Sequence, residues 1–200
     1  ETSVHKLDET VKDIIEYSRN TRIAIEIELI DFEVIIIDTI RDLHYLQPED
    51  RPVNIDYTIE PKLRCYSDVN RVKIIFLSIV SNAIKYYNAE ELELTLHISV
   101  VKQGKRTVIT FTDNGIGIED SQKAKIFDMF YRASEQTGGA GLGLYIARST
   151  TEKIKGTITL QSESGEGTTV VVAIPNLKQK ESTTSEADQL ISPPKTGVSE

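Results

Sequence analysis

Apolar and polar residues alternate along several stretches of this chain, and this alternation predicts β-strands, because successive side chains of a strand point to opposite faces of a sheet. The clearest run covers residues 92–100, and others cover residues 23–29, 53–59, 107–111, 158–160 and 170–174. Gln103-Gly104 predicts a hairpin turn between two of these runs. The last two runs are expected to pair across Gly165-Glu166-Gly167.

Other stretches repeat their apolar residues every three or four positions, which predicts helices. Asp31 is expected to cap a helix that ends before Pro48. A long helix is predicted from about Val69 to Tyr87, and another over residues 146–154. Strands joined mostly by hairpins, together with these helices, favour an α+β sandwich with the helices on one face of a sheet.

The two ends of the chain differ from this middle part. A heptad-like seam near the start consists of Val4, Leu7, Val11, Ile14 and Ser18. It predicts either part of a helical bundle or an ordinary amphipathic helix that docks on a core. From residue 177 onward, polar residues and a Pro-Pro pair replace the apolar periodicity, so residues 177–200 are predicted to be a flexible tail or linker.

Composition excludes some functions. A net charge of −8 over 200 residues argues against a nucleic-acid partner, which requires a basic surface. Cys65 is the single cysteine, so an internal disulfide framework is excluded. The sequence has no apolar run that could span a bilayer and no signal-peptide layout, so we expect no membrane contact by this stretch. Because Glu1 and not Met opens the sequence, we expect it to be a piece of a longer protein.

The stretch from Thr112 to Leu144 carries the strongest chemical signal. Asp113 directly follows a strand and precedes Gly115 and Gly117. An ionised carboxylate only accepts hydrogen bonds, which suits a ligand donor such as an exocyclic amine, and the glycines permit close approach of the backbone. A second glycine cluster, residues 138–143, leads into a helix, whose free N–H groups and positive dipole end favour an anion.

The long helix carries polar residues on one face. Ser78, Asn82, Lys85 and Tyr86 lie at positions i, i+4, i+7 and i+8. The Asn82 amide oxygen can ligate Mg²⁺, Lys85 can neutralise phosphate charge, and Tyr86 or Tyr87 can pack on a base or ribose. The alternative is that Asn82 and Lys85 simply lie on a solvated face.

Together these segments resemble the ATP-binding catalytic domain of sensor histidine kinases, in the GHKL superfamily. The resemblance covers residues 20–176. In family order, the N box is similar to residues 78–86, the G1 box to 113–117, the F box to 127–132, the G2 box to 139–144 and the last glycine motif to 165–168.

The resemblance implies a two-layer α/β sandwich with a mixed, mostly antiparallel sheet, three main helices and a mobile ATP lid over residues 118–140. It implies that residues 1–20 end a dimerisation and phosphoacceptor bundle, that residues 21–176 form the ATP-binding domain, and that residues 177–200 form the tail. Within the lid, Phe127 and Phe130 are expected either to anchor the loop or to contact a partner.

The resemblance also implies site roles. Asp113, supported by Thr168, would accept from the adenine amine. Asn82 would hold Mg²⁺ and would, with Lys85 and Arg132, form the catalytic set. The other implied nucleotide-binding residues are Tyr86, Gly115, Gly117, Ile118, Gly139, Gly141, Leu142, Gly143 and Leu144.

Two features depart from the family pattern. Ser78 stands where these kinases often have Asn. The phosphoacceptor motif of these kinases is a histidine followed by an acidic residue and a nearby proline. None of His5, His44 and His97 fits this motif. We therefore interpret all three histidines as structural or solvated, and expect the acceptor to lie outside this chain.

The predicted function is transfer of the ATP γ-phosphoryl group to that histidine, for onward transfer to a response regulator. The full-length protein is expected to be a homodimer whose kinase domain is cytoplasmic, with or without an upstream membrane anchor. Three alternatives stay open: a GHKL-type ATPase, a protein-serine kinase of the anti-sigma-factor type, and a degenerate nucleotide-sensing or dimerising module. Ser78 disfavours the ATPase, because those enzymes have Glu at this position to activate water.

Overall fold

The structure, a computed structural model, describes residues 24–48, 52–132 and 140–177. In chain order the elements are β1 (Glu28–Leu29), α1 (Phe32–Asp42), a 3-10 helix (His44–Leu46), β2 (Asn54–Ile59), β3 (Tyr66–Ser67), α2 (Val69–Lys85), β4 (Thr95–Gln103), β5 (Arg106–Asp113), α3 (Asp120–Lys123), α4 (Gly143–Lys153), β6 (Thr157–Glu163) and β7 (Gly167–Pro175).

The described strands form a two-stranded sheet, β1–β3, and a five-stranded sheet in the order β2-β4-β5-β7-β6. In the larger sheet β2 runs parallel to β4, and the other neighbouring strands are antiparallel. The helices α1, α2 and α4 are the long ones among the described residues, with 11, 17 and 11 residues. These observations confirm the predicted α+β fold with a mixed, mostly antiparallel sheet and three main helices.

The hydrophobic core joins the helices to the sheet, and Phe76 of α2 shows how. Its side chain is fully buried, with its ring centroid 5.0 Å from that of Phe111 in β5 and 6.3 Å from that of Phe32 in α1. The first pair meets edge to face, at 73°, a geometry that aromatic quadrupoles favour. One side chain thus fixes α2 against both a strand and a neighbouring helix.

Aspartates begin the first two long helices. Asp31 caps α1 as predicted, because its carboxylate accepts the Val34 N–H at 3.1 Å. Asp68 caps α2 by accepting the Arg71 N–H at 2.9 Å, and it also pairs with the Arg71 guanidinium. Its second oxygen accepts the Glu26 N–H at 3.1 Å. This buried ion pair therefore ties the segment before β1 to the start of the long helix.

Two predicted strands are shorter than expected. The run over residues 23–29 was predicted to be a strand, but in the described residues only β1 pairs, because its partner β3 has just two residues. The run that begins at Leu92 becomes a strand only at Thr95, where pairing with β2 starts, and the Leu92 side chain is 95% exposed. A strand extends only as far as its hydrogen-bonded ladder.

The heptad seam and nearly all of the predicted tail lie outside the described residues. Leu177, the last described residue, still donates its N–H to the carbonyl of Tyr66 at 2.7 Å. None of the helices formed by the described residues has the length and apolar character needed to cross a membrane.

Candidate functional site

A cavity of about 300 Å³ opens between α2, the loop after β5, the start of α4 and the β6–β7 hairpin. Its walls include apolar side chains from four elements, among them Ile79, Ile126, Leu160 and Val170. The predicted site residues that line it are Asn82, Tyr86, Asp113, Gly117, Ile118, Gly141, Gly143, Leu144 and Thr168. The fold therefore brings together residues that are up to 86 positions apart along the sequence.

Four other predicted site residues do not line the cavity, although each is next in the chain to a residue that does: Lys85, Gly115, Leu142 and Arg132. Lys85 is the last residue of α2 and is half-buried, whereas the Leu142 side chain is 2% exposed and belongs to the interior. Gly115 lies against the backbone of Tyr86, where a Cβ atom would come within 2.5 Å of a carbonyl oxygen. The remaining predicted residue, Gly139, is outside the described residues.

Asp113 ends β5 at one side of the cavity. Its Oδ1 atom accepts two backbone N–H groups, from Gly115 at 2.9 Å and from Thr168 at 3.2 Å. Within the described residues no hydrogen bond reaches its Oδ2 atom. Burial raises the pKa of the Asp113 carboxyl to about 6, and the two N–H groups offset only part of that rise. The site thus holds a desolvated acceptor with one oxygen left for a donor.

Asn114, a residue that the sequence analysis did not single out, holds this aspartate in place. Its side-chain oxygen accepts the Thr95 N–H at 2.8 Å, and its side-chain nitrogen donates to the Glu93 carbonyl at 2.7 Å. The amide thereby continues the β4–β5 ladder beyond the last strand residue. Its position directly after the strand-ending Asp113 was the available signal, since Asn side chains commonly bond to nearby backbone.

Ser162 was also missed. Its hydroxyl donates to the Gly167 carbonyl at 2.7 Å and lies 2.9 Å from the Thr168 hydroxyl. Ser162 and Thr168 face each other in the β6–β7 register. Counting outward from the predicted turn over residues 165–167 would instead place Ser164 opposite Thr168, whereas the observed turn covers residues 164–166. The sequence pattern therefore did not identify this pair.

Gly117 permits the tight approach of the loop after β5 to the β6–β7 hairpin. Its φ angle is +66°, and a Cβ atom there would lie 1.9 Å from the carbonyl oxygen of Glu163. Neither the backbone conformation nor the space admits a side chain. The hairpin therefore packs directly on the backbone of the loop that follows Asp113.

The opposite side of the cavity joins Asn82 to the start of α4. A Cβ atom on Gly143 would lie 3.0 Å from the Asn82 Oδ1 atom, so the side-chain amide rests against bare backbone at the first residue of α4. Leu142, the N-cap residue, provides no side-chain hydrogen bond to the first turn. This end of the helix thus presents positively polarised N–H groups beside the neutral amide oxygen of Asn82.

Asn82 is not part of a preformed metal cage. Nowhere in residues 24–48, 52–132 and 140–177 do three His, Cys, Asp or Glu side chains converge as a metal site would require. A single amide oxygen beside free N–H groups fits a cation that keeps most of its ligands from water and phosphate, as Mg²⁺ does. The positively polarised N–H groups on this side of the cavity favour the anionic part of a ligand. The carboxylate of Asp113 on the other side favours a hydrogen-bond donor of the ligand.

The predicted lid carries aromatic residues in two different environments. Phe127 is half-buried, with the Arg148 guanidinium of α4 5.8 Å from its ring centroid. Phe130 is 56% exposed and has a φ angle of +64°. Phe127 therefore contacts the domain, whereas Phe130 faces outward. Residues 133–139 of the predicted lid lie outside the described residues.

The described histidines lie away from the cavity. His97 is on β4, where its Nδ1 atom lies 2.8 Å from the Asp56 carboxylate and its Nε2 atom 3.4 Å from the Thr58 hydroxyl. His44 begins the 3-10 helix and is exposed. Neither lines the cavity. His5 is outside the described residues.

Comparison with protein families places this geometry among known domains. Residues 67–178 match the family model described as histidine kinase-, DNA gyrase B- and HSP90-like ATPase, which covers more than half of the chain. All the cavity-lining residues fall within that match.

Named relatives and a solved structure agree with this match. Sensor protein kinase WalK of Staphylococcus aureus is 31% identical over 173 residues, which are 82% of this chain and 40% of WalK. The autoinducer 2 sensor kinase/phosphatase LuxQ of Vibrio vulnificus is 28% identical over 196 residues, 90% of this chain and 23% of LuxQ. The chain thus spans well under half the length of these curated relatives. Full-length ShkA in complex with AMPPNP superposes with a TM-score of 0.69 and 21% identity, over 82% of this chain and 35% of that one.

Proposed function

The chain belongs to the family of histidine kinase-, DNA gyrase B- and HSP90-like ATPases, and we propose that it is the ATP-binding catalytic domain of a two-component sensor histidine kinase. It would transfer the γ-phosphoryl group of ATP to a histidine on a helical bundle of the same protein, from which a response regulator would receive it. The observation that carries the proposal is the pairing, across one cavity, of a half-buried carboxylate that has one oxygen without a hydrogen bond from the described residues with an uncapped helix start.

The adenine ring is assigned to the Asp113 side. Ile79, Ile126, Leu160 and Val170 offer apolar walls for a flat base. The open Oδ2 atom of Asp113 would accept from the exocyclic amine, and the adjacent Thr168 hydroxyl would support it. An apolar slot with one charged acceptor is selective, because a base without a donor at that point leaves the carboxylate desolvated and unpaired.

The phosphates are assigned to the α4 side. The backbone N–H groups around Gly141 and Gly143 would bind phosphate oxygens, and the helix dipole would favour their charge. Lys85 and Arg132, each next in the chain to a lining residue, would reach the outer phosphates. Asn82 would hold Mg²⁺, which neutralises charge on the transferred group when bound.

Positioning is most of what phosphoryl transfer requires from a protein, so this chain's contribution would be to orient ATP and to exclude water. Met129 and Phe130, 42% and 56% exposed, lie on the outer side of the lid segment. In the proposal, residues 1–20 belong to the acceptor bundle, and the full-length protein is a homodimer. The histidine that attacks the γ-phosphorus would come from outside this chain.

The rival ATPase function lacks a suitable base on the long helix. Between Val69 and Lys85, α2 contains no Asp or Glu. Ser78 is half-buried, and its own carbonyl accepts the Ser81 hydroxyl at 3.1 Å. A serine hydroxyl has no pKa suited to activating water unaided. We therefore rank phosphotransfer above hydrolysis.

The first test is calorimetric titration of the whole chain with a non-hydrolysable ATP analogue and Mg²⁺. Asp113→Asn should weaken binding at least about tenfold, because it loses a hydrogen bond to a charged group and places an amide where the base donates. Gln161→Ala, on the exposed face of β6, is the matched control and should bind like wild type. If wild type ignores the nucleotide, the proposed function is wrong.

The second test separates the kinase from its rivals. The chain is incubated with γ-labelled ATP and with the proposed acceptor bundle of the full-length protein. Acid-labile, base-stable label on the bundle indicates phosphohistidine, and acid-stable label indicates the serine-kinase alternative. Rapid release of free phosphate without any acceptor would instead support the ATPase.

A further inference from the structure

The β6–β7 hairpin contains a two-hydroxyl network at the base-binding side of the cavity. Ser162 and Thr168 are directly opposite in register, with hydroxyl oxygens 2.9 Å apart. The next pair on the same face, Leu160 and Val170, lines the cavity, as Thr168 does. Thr168 also donates its backbone N–H to Asp113 at 3.2 Å. The network therefore adjoins the carboxylate assigned to the adenine amine.

The direction of each hydrogen bond follows from counting protons. Ser162 has one hydroxyl proton, and its contact with the Gly167 carbonyl at 2.7 Å requires that proton, because a carbonyl can only accept. The 2.9 Å contact between the two hydroxyls must then use the proton of Thr168. The Thr168 oxygen is left with lone pairs only for any further partner.

We propose that Ser162 is a specificity-determining residue, which fixes the Thr168 hydroxyl as an acceptor and thereby selects a 6-amino purine against a 6-oxo purine. The inference rests on the proposed ATP function and goes beyond it, because Ser162 need not touch the nucleotide. It acts through Thr168 and is a positioning residue.

The group at position 6 of each purine determines which purine is preferred. A 6-amino group offers two N–H donors, which match the carboxylate oxygen of Asp113 and the lone pairs of Thr168. A 6-oxo group offers only lone pairs, so it meets two acceptors and forms a bond with neither. Without Ser162 the Thr168 proton becomes free to rotate. It can then donate to a 6-oxo group, or to Asp113 in competition with the amine.

The test compares triphosphates that differ at position 6. Calorimetry with Mg²⁺ measures the affinities of ATP and inosine triphosphate for the whole chain and for Ser162→Ala. The ratio of the two affinities should fall about three- to tenfold in the variant, the size expected for one neutral hydrogen bond. Ser162→Thr keeps a hydroxyl and should restore the ratio, and Gln161→Ala on the same strand should leave it unchanged.

A double-mutant cycle tests whether Ser162 works through Thr168. Thr168→Val removes the hydroxyl while keeping the shape, so adding Ser162→Ala to it should change the ratio no further. The melting temperature of each variant measures any loss of stability separately. A defect in folding would weaken the binding of both triphosphates equally and would leave the ratio unchanged.

The possible failures are distinguishable. If wild type binds neither triphosphate, the proposed function fails. If wild type prefers ATP and Ser162→Ala keeps the full preference, or if the two substitutions act additively, Ser162 does not set the polarity of Thr168 and this inference is overturned.

Discussion

Replacing Asp113 by Asn should stabilise the nucleotide-free chain at neutral pH while weakening its nucleotide affinity. Burial raises the pKa of this carboxyl from 3.8 to about 6. A rise of about two pH units means that, at pH 7, the ionised carboxyl lowers the stability of the folded state by about 3 kcal/mol. Solvent in the open cavity reduces that cost, so we expect the variant to gain about 1–3 kcal/mol. Its side-chain oxygen can still accept the N–H groups of Gly115 and Thr168.

The sign of the effect follows from linkage. Because the pKa is raised in the folded state, the carboxyl imposes no penalty below pH 3.8, where it is protonated in both states. The penalty develops as the pH rises and is complete above about 6. The variant has no such titration, so its advantage over wild type should be full at pH 7.5 and should nearly vanish at about pH 4.

Urea denaturation without nucleotide, followed by circular dichroism at both pH values, measures this difference. Asp68→Asn is the matched control. Asp68 is buried, and its charge is paired with the Arg71 guanidinium. Replacing its carboxylate breaks this buried ion pair and should cost about 3–5 kcal/mol. The reasoning is refuted if Asp113→Asn destabilises the chain at pH 7.5, or if its gain is the same at both pH values.

Three further predictions follow from the same geometry. Affinity for ATP with Mg²⁺ should fall below pH 6 in wild type, because the pKa of Asp113 is about 6 and its protonation turns Oδ2, the oxygen proposed to accept from the amine, into a hydroxyl donor; calorimetry at pH 5.5 and 7.5 checks this, and a flat profile contradicts it. Gly117→Ala should lower the melting temperature and abolish binding, since its Cβ atom would lie 1.9 Å from the Glu163 carbonyl oxygen; wild-type binding would contradict the packing described. Phe76→Ala should cost about 3–5 kcal/mol of unfolding free energy in urea, and a loss under about 1 kcal/mol would show that the core collapses around the site.

The sequence predicted those features that local chemistry decides. The cap at Asp31 and the long helix after Asp68 depend on residues three or four positions apart, which a linear pattern displays. The strand predicted over residues 23–29 depended instead on the length of its partner β3, some forty positions away, and alternation carries no information about that. Leu92 fits the alternation of β4 but lies where β2 offers no partner.

The same distinction holds for the cavity. Asp113 and Asn82 were predicted because a carboxylate before glycines and an amide on a polar helix face are unusual combinations. Ser162 and Asn114 act through hydrogen bonds to backbone and to another hydroxyl, and such residue types are common on any surface. Only the strand register shows which serine faces which threonine.

Asp68, which is buried, and Asp113, which is half-buried, differ in how the fold compensates their charge, and that difference points to the site. Asp68 accepts two backbone N–H groups and pairs with Arg71, so every charge it brings into the interior is compensated within the fold. Asp113 accepts two N–H groups on a single oxygen, and burial still raises its pKa. A folded chain loses stability by keeping such a charge, and Asn would satisfy the same N–H groups without the loss. This loss of stability has a physical reason if a hydrogen-bond donor of a ligand binds the second oxygen of the carboxylate. We therefore place the amine of the nucleotide at Asp113.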